Sequence, residues 1–459
     1  MWEQGYITGT EYEESHTKGL GLHPGHKYQV IKDPFLFDLV QQELINKYGI
    51  NTVRNGGLKA YTSIDPRLQE KAEAAVATCY DCYPGSKAAA LASVDPKTGA
   101  IVALASTAGG ESESEFNYAW QAHRQPGSSF KTYVLTTAIK QGIDPRDTYY
   151  DGTSPITLPI PGGGYWTVHN AEPGGGVMSL EQATWDSVNV VFAQLDLDVG
   201  PENVTETAEE MGIEAPLESV PAEAIGGLAV GVTPLEMADG YATLADGGIH
   251  HDPTAISKVV FPDGKVDEPG SDEGERVLTP GQAWEVTRIL EGVITGGTGA
   301  GYTYMGCSSE AGKTGTSEEE SDAWFVGYTP MYSTAVWVGH PQSREYTGFG
   351  GPTAGPIWRA YMESAQEGEC PEFEVPSSLP TLEAFSSEHT RSSSERGYGG
   401  EEENELEEEE GEGKEGKHKP AEEEEGEAEE TEAAPETETA PPPEHTGPPP
   451  GIGGGVAPG

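Results

Sequence analysis

Lys313-Thr314-Gly315-Thr316 decides the reading of this 459-residue chain, once Ser128-Ser129-Phe130-Lys131 and Ser187-Val188-Asn189 are set before it in order. Each pattern alone carries little weight. Ser15-His16-Thr17-Lys18 repeats the spacing of the serine-lysine motif, and Lys97-Thr98-Gly99 repeats the lysine-threonine-glycine motif. Context must therefore separate the working copies from the accidental ones. The early Lys97-Thr98-Gly99 stands between two apolar runs, 88–94 and 100–106, directly after Asp95-Pro96. Proline presets one turn dihedral and glycine accepts a positive φ, so this copy reads as a hairpin turn with Lys97 in water.

The other copies suit nucleophilic chemistry. Serine attacks poorly until a base takes its proton, and a lysine three positions on in one helical turn shares its face, so Lys131 can reach the Ser128 hydroxyl. Lys131 must be neutral to act as that base. Burial and a second nearby cation both push a lysine pKa down, and Lys313 is the candidate for the cation. Ser187 and Asn189 are two positions apart, which no helix places on one face, so they need a loop geometry to act together.

The flanks extend the match. Arg124-Gln125-Pro126-Gly127 leads into Ser128, and Gly56-Gly57-Leu58-Lys59-Ala60-Tyr61-Thr62-Ser63-Ile64-Asp65-Pro66 precedes it. Val232-Thr233-Pro234-Leu235-Glu236-Met237-Ala238, Gly296-Gly297-Thr298-Gly299 and Asp322-Ala323-Trp324-Phe325-Val326-Gly327-Tyr328 follow. In this order they resemble class A penicillin-binding proteins, the bifunctional enzymes that polymerise and cross-link bacterial peptidoglycan. The resemblance covers roughly residues 1–365.

That resemblance implies a D,D-transpeptidase in which Ser128 is acylated by a stem peptide or a β-lactam and Lys131 is its base. It further implies that Ser187 relays a proton and Asn189 hydrogen-bonds the substrate backbone. The backbone N–H groups of Ser128 and Thr316 are expected to form an oxyanion hole. Hydroxyls of Thr314 and Thr316 beside Lys313 suit a substrate carboxylate, and Gly315 is expected to let substrate approach the strand backbone. No metal and no cofactor is expected. Cell-wall synthesis or division proteins are the further partners that the family suggests.

Two rivals stand beside this reading. A serine β-lactamase-like hydrolase or D,D-carboxypeptidase shares the three motifs, but no Glu-x-x-Leu-Asn string for a deacylating glutamate occurs between Asn189 and Lys313. A noncatalytic wall-binding remnant would keep the fold without the chemistry. A fluorescent penicillin separates them, since a lactamase turns the label over and a remnant does not react.

Composition bounds the partners. The net charge is −51, of which −18 lies in residues 401–459 and −33 in the rest. An acidic surface of that size argues against nucleic acid, because phosphate neutralisation needs Lys and Arg. No run approaches the ~20 apolar residues of a membrane span, and no secretory signal peptide is visible. Placement on the outer face of the bacterial membrane or in the wall is thus an implication of the resemblance. Four cysteines are too few and too scattered for a zinc site, and Cys307 and Cys370 are expected to pair if the domain is exported. The other histidines and tryptophans, among them His123, His340, Trp120, Trp166, Trp185 and Trp324, read as structural or surface groups.

The fold class expected is mixed α/β: an antiparallel sheet flanked by helices, with strands laid down early and late and an all-helical insertion between. This is the layout of the penicillin-binding transpeptidase and serine β-lactamase fold. Helices are expected at 66–78, 132–141, 179–198, 233–246, 280–295 and 356–366. Residues 1–30 resemble the end of a glycosyltransferase domain, which makes the chain look like a fragment, 31–87 a linker and 88–375 the transpeptidase domain. Residues 376–459, Glu-, Gly- and Pro-rich toward the end, are expected to be disordered and dispensable for acylation.

Overall fold

The computed structural model describes residues 2, 4–17, 34–82, 86–107, 116–171, 175–270 and 273–395. Its centre is a five-stranded antiparallel sheet. The strands are β1 (Ala88–Val94), β2 (Ile101–Ser106), β3 (Ala311–Thr316), β4 (Asp322–Tyr328) and β5 (Ser333–Gly339). They lie in the order β3-β4-β5-β1-β2, so early and late strands meet where β5 pairs with β1.

Alternation along each strand divides the core in two. Ala90, Ala92, Trp324, Val326, Ala335 and Trp337 join one buried cluster, while Ala89, Leu91, Ala323, Phe325, Val336 and Val338 join the other. Successive side chains point to opposite faces, so a sheet covered on both sides reads as an unbroken apolar run. Helix α1 (Pro66–Val76) contributes Leu68, Ala72, Ala75 and Val76 to the second cluster, with α7 (Gly350–Gln366) beside it. The other face carries the helical half, made of α2 (Lys131–Lys140), α3 (Leu180–Trp185), α4 (Asn189–Val199), α5 (Pro234–Ala245) and α6 (Pro280–Thr295).

The mixed α/β fold class stands, and the differences from expectation have local causes. The helix expected over 179–198 is two helices, because Ser187 takes a left-handed φ of 58° that ends α3 before α4 starts. Helix α7 begins six residues before the expected start at Pro356, which sits inside it. Proline was the start signal, yet the true start is set by Gly350, whose N–H donates to Thr316 Oγ1 at 3.1 Å and where a Cβ would overlap the Gly315 and Trp324 carbonyl oxygens. The insertion expected to be all-helical also holds short strands, Tyr149–Asp151 with Val177–Ser179 and the hairpin Ile156–Pro159 with Tyr165–Val168. Helix α1, expected in the linker, is instead an integral layer on the sheet.

The tail begins later than expected. Residues 376–395 lie against the helical half: Leu382 and Phe385 pack on the core, Glu383 exchanges backbone hydrogen bonds with Gly142 and Asp144, and Thr390–Arg391 pairs with Tyr149–Tyr150. His389 Nδ1 meets Asp198 Oδ1 at 2.7 Å. Low mean hydropathy hid two anchoring apolar residues in a polar stretch. Residues 396–459 lie outside the described residues, as does half of the expected glycosyltransferase remnant. Cys307 is bonded to Cys370, joining the approach to β3 to the end of α7, and Cys79 to Cys82.

Candidate active site

The nucleophile segment is fastened to the sheet before the helix begins. Arg124 Nε donates to Asp322 Oδ1 at 2.7 Å, its Nη2 donates to the His340 carbonyl at 3.1 Å, and its guanidinium lies over Trp337. Trp337 Nε1 donates to the same Asp322 oxygen at 2.9 Å. The Gln125 carbonyl accepts from Trp324 Nε1 at 2.8 Å, while the Gln125 side chain exchanges hydrogen bonds with the Leu228 backbone. A buried, hydrogen-bonded charge pair of this kind fixes geometry more than it adds stability.

The chain then turns sharply through Gly127, with φ 54°, into a single 3-10 turn, Gly127–Phe130, that runs on into α2. A Cβ at Gly127 would overlap the Thr316 backbone, and one at Gly226 would overlap Gly127 itself. The turn is therefore wedged between β3 and the loop at 226. Ser129 is buried, with its hydroxyl donating to the Pro126 carbonyl at 2.7 Å. Ser128 is half-buried, and its hydroxyl makes no hydrogen bond, to Lys131 or otherwise, among the described residues.

Lys131 and Lys313 are both fully buried. Lys131 Nζ donates to the Ser187 carbonyl at 2.6 Å and to Asn189 Oδ1 at 2.7 Å, and stands 3.3 Å from Ser187 Oγ. Lys313 Nζ donates to the same Ser187 Oγ at 2.8 Å and to the Thr314 carbonyl at 3.2 Å. Burial first, and then the charge of Lys313, hold Lys131 well below the usual lysine range. Burial alone pulls Lys313 down to about 7. The left-handed backbone at Ser187 is what turns both its hydroxyl and its carbonyl toward the two amines. All four expected catalytic residues thus lie at one end of the sheet.

Strand β3 is the sheet edge nearest this cluster. Ser317 N–H donates to the Asp322 carbonyl at 3.0 Å, and antiparallel ladders alternate, so the Thr316 N–H and carbonyl turn away from β4 toward the nucleophile turn. Ser128 N–H sits in the first turn of its helix, where donors have no intrahelical acceptor. Thr314 Oγ1 shares a 2.7 Å hydrogen bond with Thr298, and Thr316 Oγ1 accepts from Gly350. Gly315 corrects an expectation: a Cβ there would overlap the Pro126 carbonyl and crowd Ser129 Oγ, so its smallness seats the strand against the nucleophile turn and not against substrate. Asn189 Nδ2 donates to the His169 carbonyl at 2.9 Å.

Other residues fall as expected. His250 and His251 pair with Asp239 and Asp246, His340 is buried, and Trp324 is a core residue. Sequence reading missed Tyr241, whose hydroxyl donates to the Ser129 carbonyl at 2.7 Å and meets Thr132 Oγ1 at 2.6 Å. It also missed Asn170, which bonds the first turn of α4 at Val190 N–H. Neither stands in a motif with chemistry of its own. Among the described residues no cluster could hold a metal ion, and no helix is long and apolar enough to cross a membrane.

Known proteins match at every level. Residues 89–363 match the family model for the penicillin binding protein transpeptidase domain. Penicillin-binding protein 1A of Neisseria cinerea is 34% identical over 291 residues, 61% of this chain and 36% of the relative. The protein of the same name from Mycobacterium tuberculosis is 34% identical over 361 residues, 72% of this chain and 42% of the relative. The chain thus spans about two fifths or less of the length of these relatives. The solved structure of the penicillin-binding protein PonA1 from Mycobacterium tuberculosis, at 30% identity, superposes with a TM-score of 0.65 over 77% of this chain and 97% of that one. PonA1 has also been solved in complex with penicillin V. With the serine-lysine, serine-asparagine and lysine-threonine-glycine motifs converging at one edge of the same sheet, the chain belongs to the penicillin-binding protein transpeptidase family.

Proposed function

We propose that this chain is a peptidoglycan D,D-transpeptidase working through a serine acyl-enzyme, with Ser128 as nucleophile. The observation that carries the reading is the pair of buried lysines joined by Ser187, because burial and the neighbouring charge push Lys131, three residues after Ser128, toward its neutral form and set a second amine on the same hydroxyl. Lys131 takes the Ser128 proton as Oγ attacks the carbonyl of a D-Ala-D-Ala bond. The N–H groups of Ser128 and Thr316 hold the oxyanion that develops. Ser187, bonded to both amines, passes the proton to the leaving D-alanine nitrogen, and an amine of a neighbouring stem peptide then resolves the ester.

Lys313, Thr314 and Thr316 receive the substrate carboxylate, and Asn189 offers the substrate backbone the second hydrogen of its Nδ2 while the first stays on the His169 carbonyl. A β-lactam, whose ring amide mimics the scissile bond, acylates Ser128 in the same way. The domain that does this work extends from α1 to about residue 395 and acts, by resemblance to the family, at the outer face of a bacterial membrane. Fluorescent penicillin tests the reading. One label per chain is expected on the peptide containing Ser128, stable for many minutes and absent from Ser128→Ala. Rapid loss of the label would favour a hydrolase, and no label at all a noncatalytic remnant.

A further inference from the structure

Helix α4 starts without a cap of its own. Its N-cap residue is Val188, which offers no side-chain acceptor, and the preceding Ser187 is held in a left-handed conformation. The first turn of a helix leaves its N–H groups unpaired unless an acceptor is supplied. Here it comes from elsewhere in the chain: Asn170 Oδ1 accepts from Val190 N–H at 3.1 Å. Asn170 is itself fixed on two other sides, donating from its N–H to Ser154 Oγ at 2.8 Å and from Nδ2 to the Gly152 carbonyl at 2.9 Å. The residue before it, His169, takes the Asn189 Nδ2 on its carbonyl.

These contacts have a consequence at Lys131. A carbonyl oxygen only accepts, so His169 fixes the Asn189 amide with its nitrogen outward and its Oδ1 toward Lys131. A neutral amine has two hydrogens and one lone pair. The Ser187 carbonyl and Asn189 Oδ1, both acceptors only, take the two hydrogens. The lone pair is left for hydroxyls: Ser187 Oγ at 3.3 Å in the free protein and, in the proposed attack, Ser128.

We infer that Asn170 is a positioning residue for acylation: by capping α4 from outside, it holds Ser187 and Asn189 where they consume both Lys131 hydrogens and leave the lone pair for the Ser128 proton. Asn170 touches no reacting atom and acts through Asn189 and Ser187. The inference rests on the serine-transfer reading proposed above.

The test compares this chain with Asn170→Ala and Asn170→Asp, using fluorescent penicillin at a series of concentrations to separate the limiting acylation rate from the half-saturating concentration. Thermal unfolding is followed in parallel. Asn170→Ala is expected to lower the limiting rate on the order of tenfold while the half-saturating concentration moves less than about threefold. Aspartate keeps an oxygen for Val190 N–H, so Asn170→Asp is expected to recover most of the rate. A purely structural residue would change the melting temperature or the labelled fraction and leave the rate of the folded fraction alone, and that outcome overturns the inference. So does an Asn170→Asp variant that folds yet labels as slowly as the alanine variant. If Asn170→Ala fails to fold, the aspartate variant decides alone, by labelling near the unmodified rate or not. Labelling of Ser128→Ala, or none in the unmodified chain, would instead overturn the reading of the site and the inference with it.

Discussion

Lys131 and Lys313 point their amines at one oxygen, the hydroxyl of Ser187, at 3.3 Å and 2.8 Å. Two buried ammonium groups cannot both stay charged at such a separation without a large cost, so at least one gives up its proton. The deeper shift falls on Lys131, which feels both burial and its neighbour. In the proposed mechanism this divides the labour: Lys131 acts as the base, and Lys313 holds the remaining charge for a carboxylate. Ser187 lies between them and can move a proton from one side of the cleft to the other.

The division sets a pH dependence. As pH falls through the lowered pKa of Lys131, its amine takes up a proton and can no longer accept one from Ser128. Above about 7 Lys313 loses its proton in the free protein, and with it the attraction for a carboxylate. The second-order rate constant for acylation by penicillin is therefore expected to be bell-shaped, with its alkaline limb within about a unit of that value. The limiting rate in the complex should keep its plateau to higher pH, because a bound carboxylate stabilises the charged lysine. Rates measured from pH 5 to 10 check this, and a second-order constant still climbing at pH 10 would remove Lys313 from its role as a cation.

Much of this was legible in the sequence because motif residues carry their chemistry in their identities. Ser128, Lys131 and Lys313 could be placed from order and spacing, and the apolar runs at 88–94 and 323–328 gave the strands of a doubly covered sheet. The need for a loop at Ser187 also followed, from the two-residue spacing alone. What stayed hidden was support from distant chain. Asn170, Tyr241 and Arg124 act through backbone carbonyls, N–H groups and one buried carboxylate, partners that no local pattern encodes. Gly315 was misread for the same reason, since the atom that needs its space, the Pro126 carbonyl, comes from another segment.

Asp196 offers a stability test away from the chemistry. It is buried on α4, its Oδ2 has no hydrogen-bond partner, and burial followed by the charges of Glu223 and Glu202 pushes its pKa to about 8. A carboxyl raised on folding stabilises the protein fully only below its unfolded value of 3.8, and that contribution is lost as pH rises through about 8. Asn cannot ionise. Asp196→Asn is expected to raise stability at pH 9 by roughly 4 kcal/mol more than at pH 5. Urea unfolding at the two pH values measures this, and an equal effect at both would show that the carboxyl titrates normally.

The segment 376–395 should contribute to stability, in contrast to the residues after it. Cutting after Val375 removes Leu382 and Phe385 from the core, the strand Thr390–Arg391 and the partner of Asp198. Partial burial of two large apolar side chains is worth about 2–4 kcal/mol, which for a domain of this size lowers the melting temperature on the order of 5–10 °C. Cutting after Glu395 is expected to change neither melting temperature nor penicillin labelling. Calorimetry on the three lengths distinguishes them, and identical melting of all three would mean that the segment only rests on the surface.

The two Lys-Thr-Gly copies provide an internal control for the whole assignment. Lys97 is exposed in the turn between β1 and β2, where Asp95 Oδ1 accepts its backbone N–H at 2.9 Å. Losing that side chain should alter stability by about half a kcal/mol or less and leave labelling almost unchanged. Lys313 is fully buried, bonded to Ser187, and close enough to Lys131 to lower its pKa. Lys313→Ala removes both the proposed cation for the substrate carboxylate and one of the two causes that lower the Lys131 pKa. Its acylation rate is expected to fall on the order of a hundredfold, the size typical of losing one preorganised electrostatic group. Ser128→Ala should take no label. Measured side by side with fluorescent penicillin, a crippled Lys97→Ala and a healthy Lys313→Ala would place the active site at the wrong tripeptide.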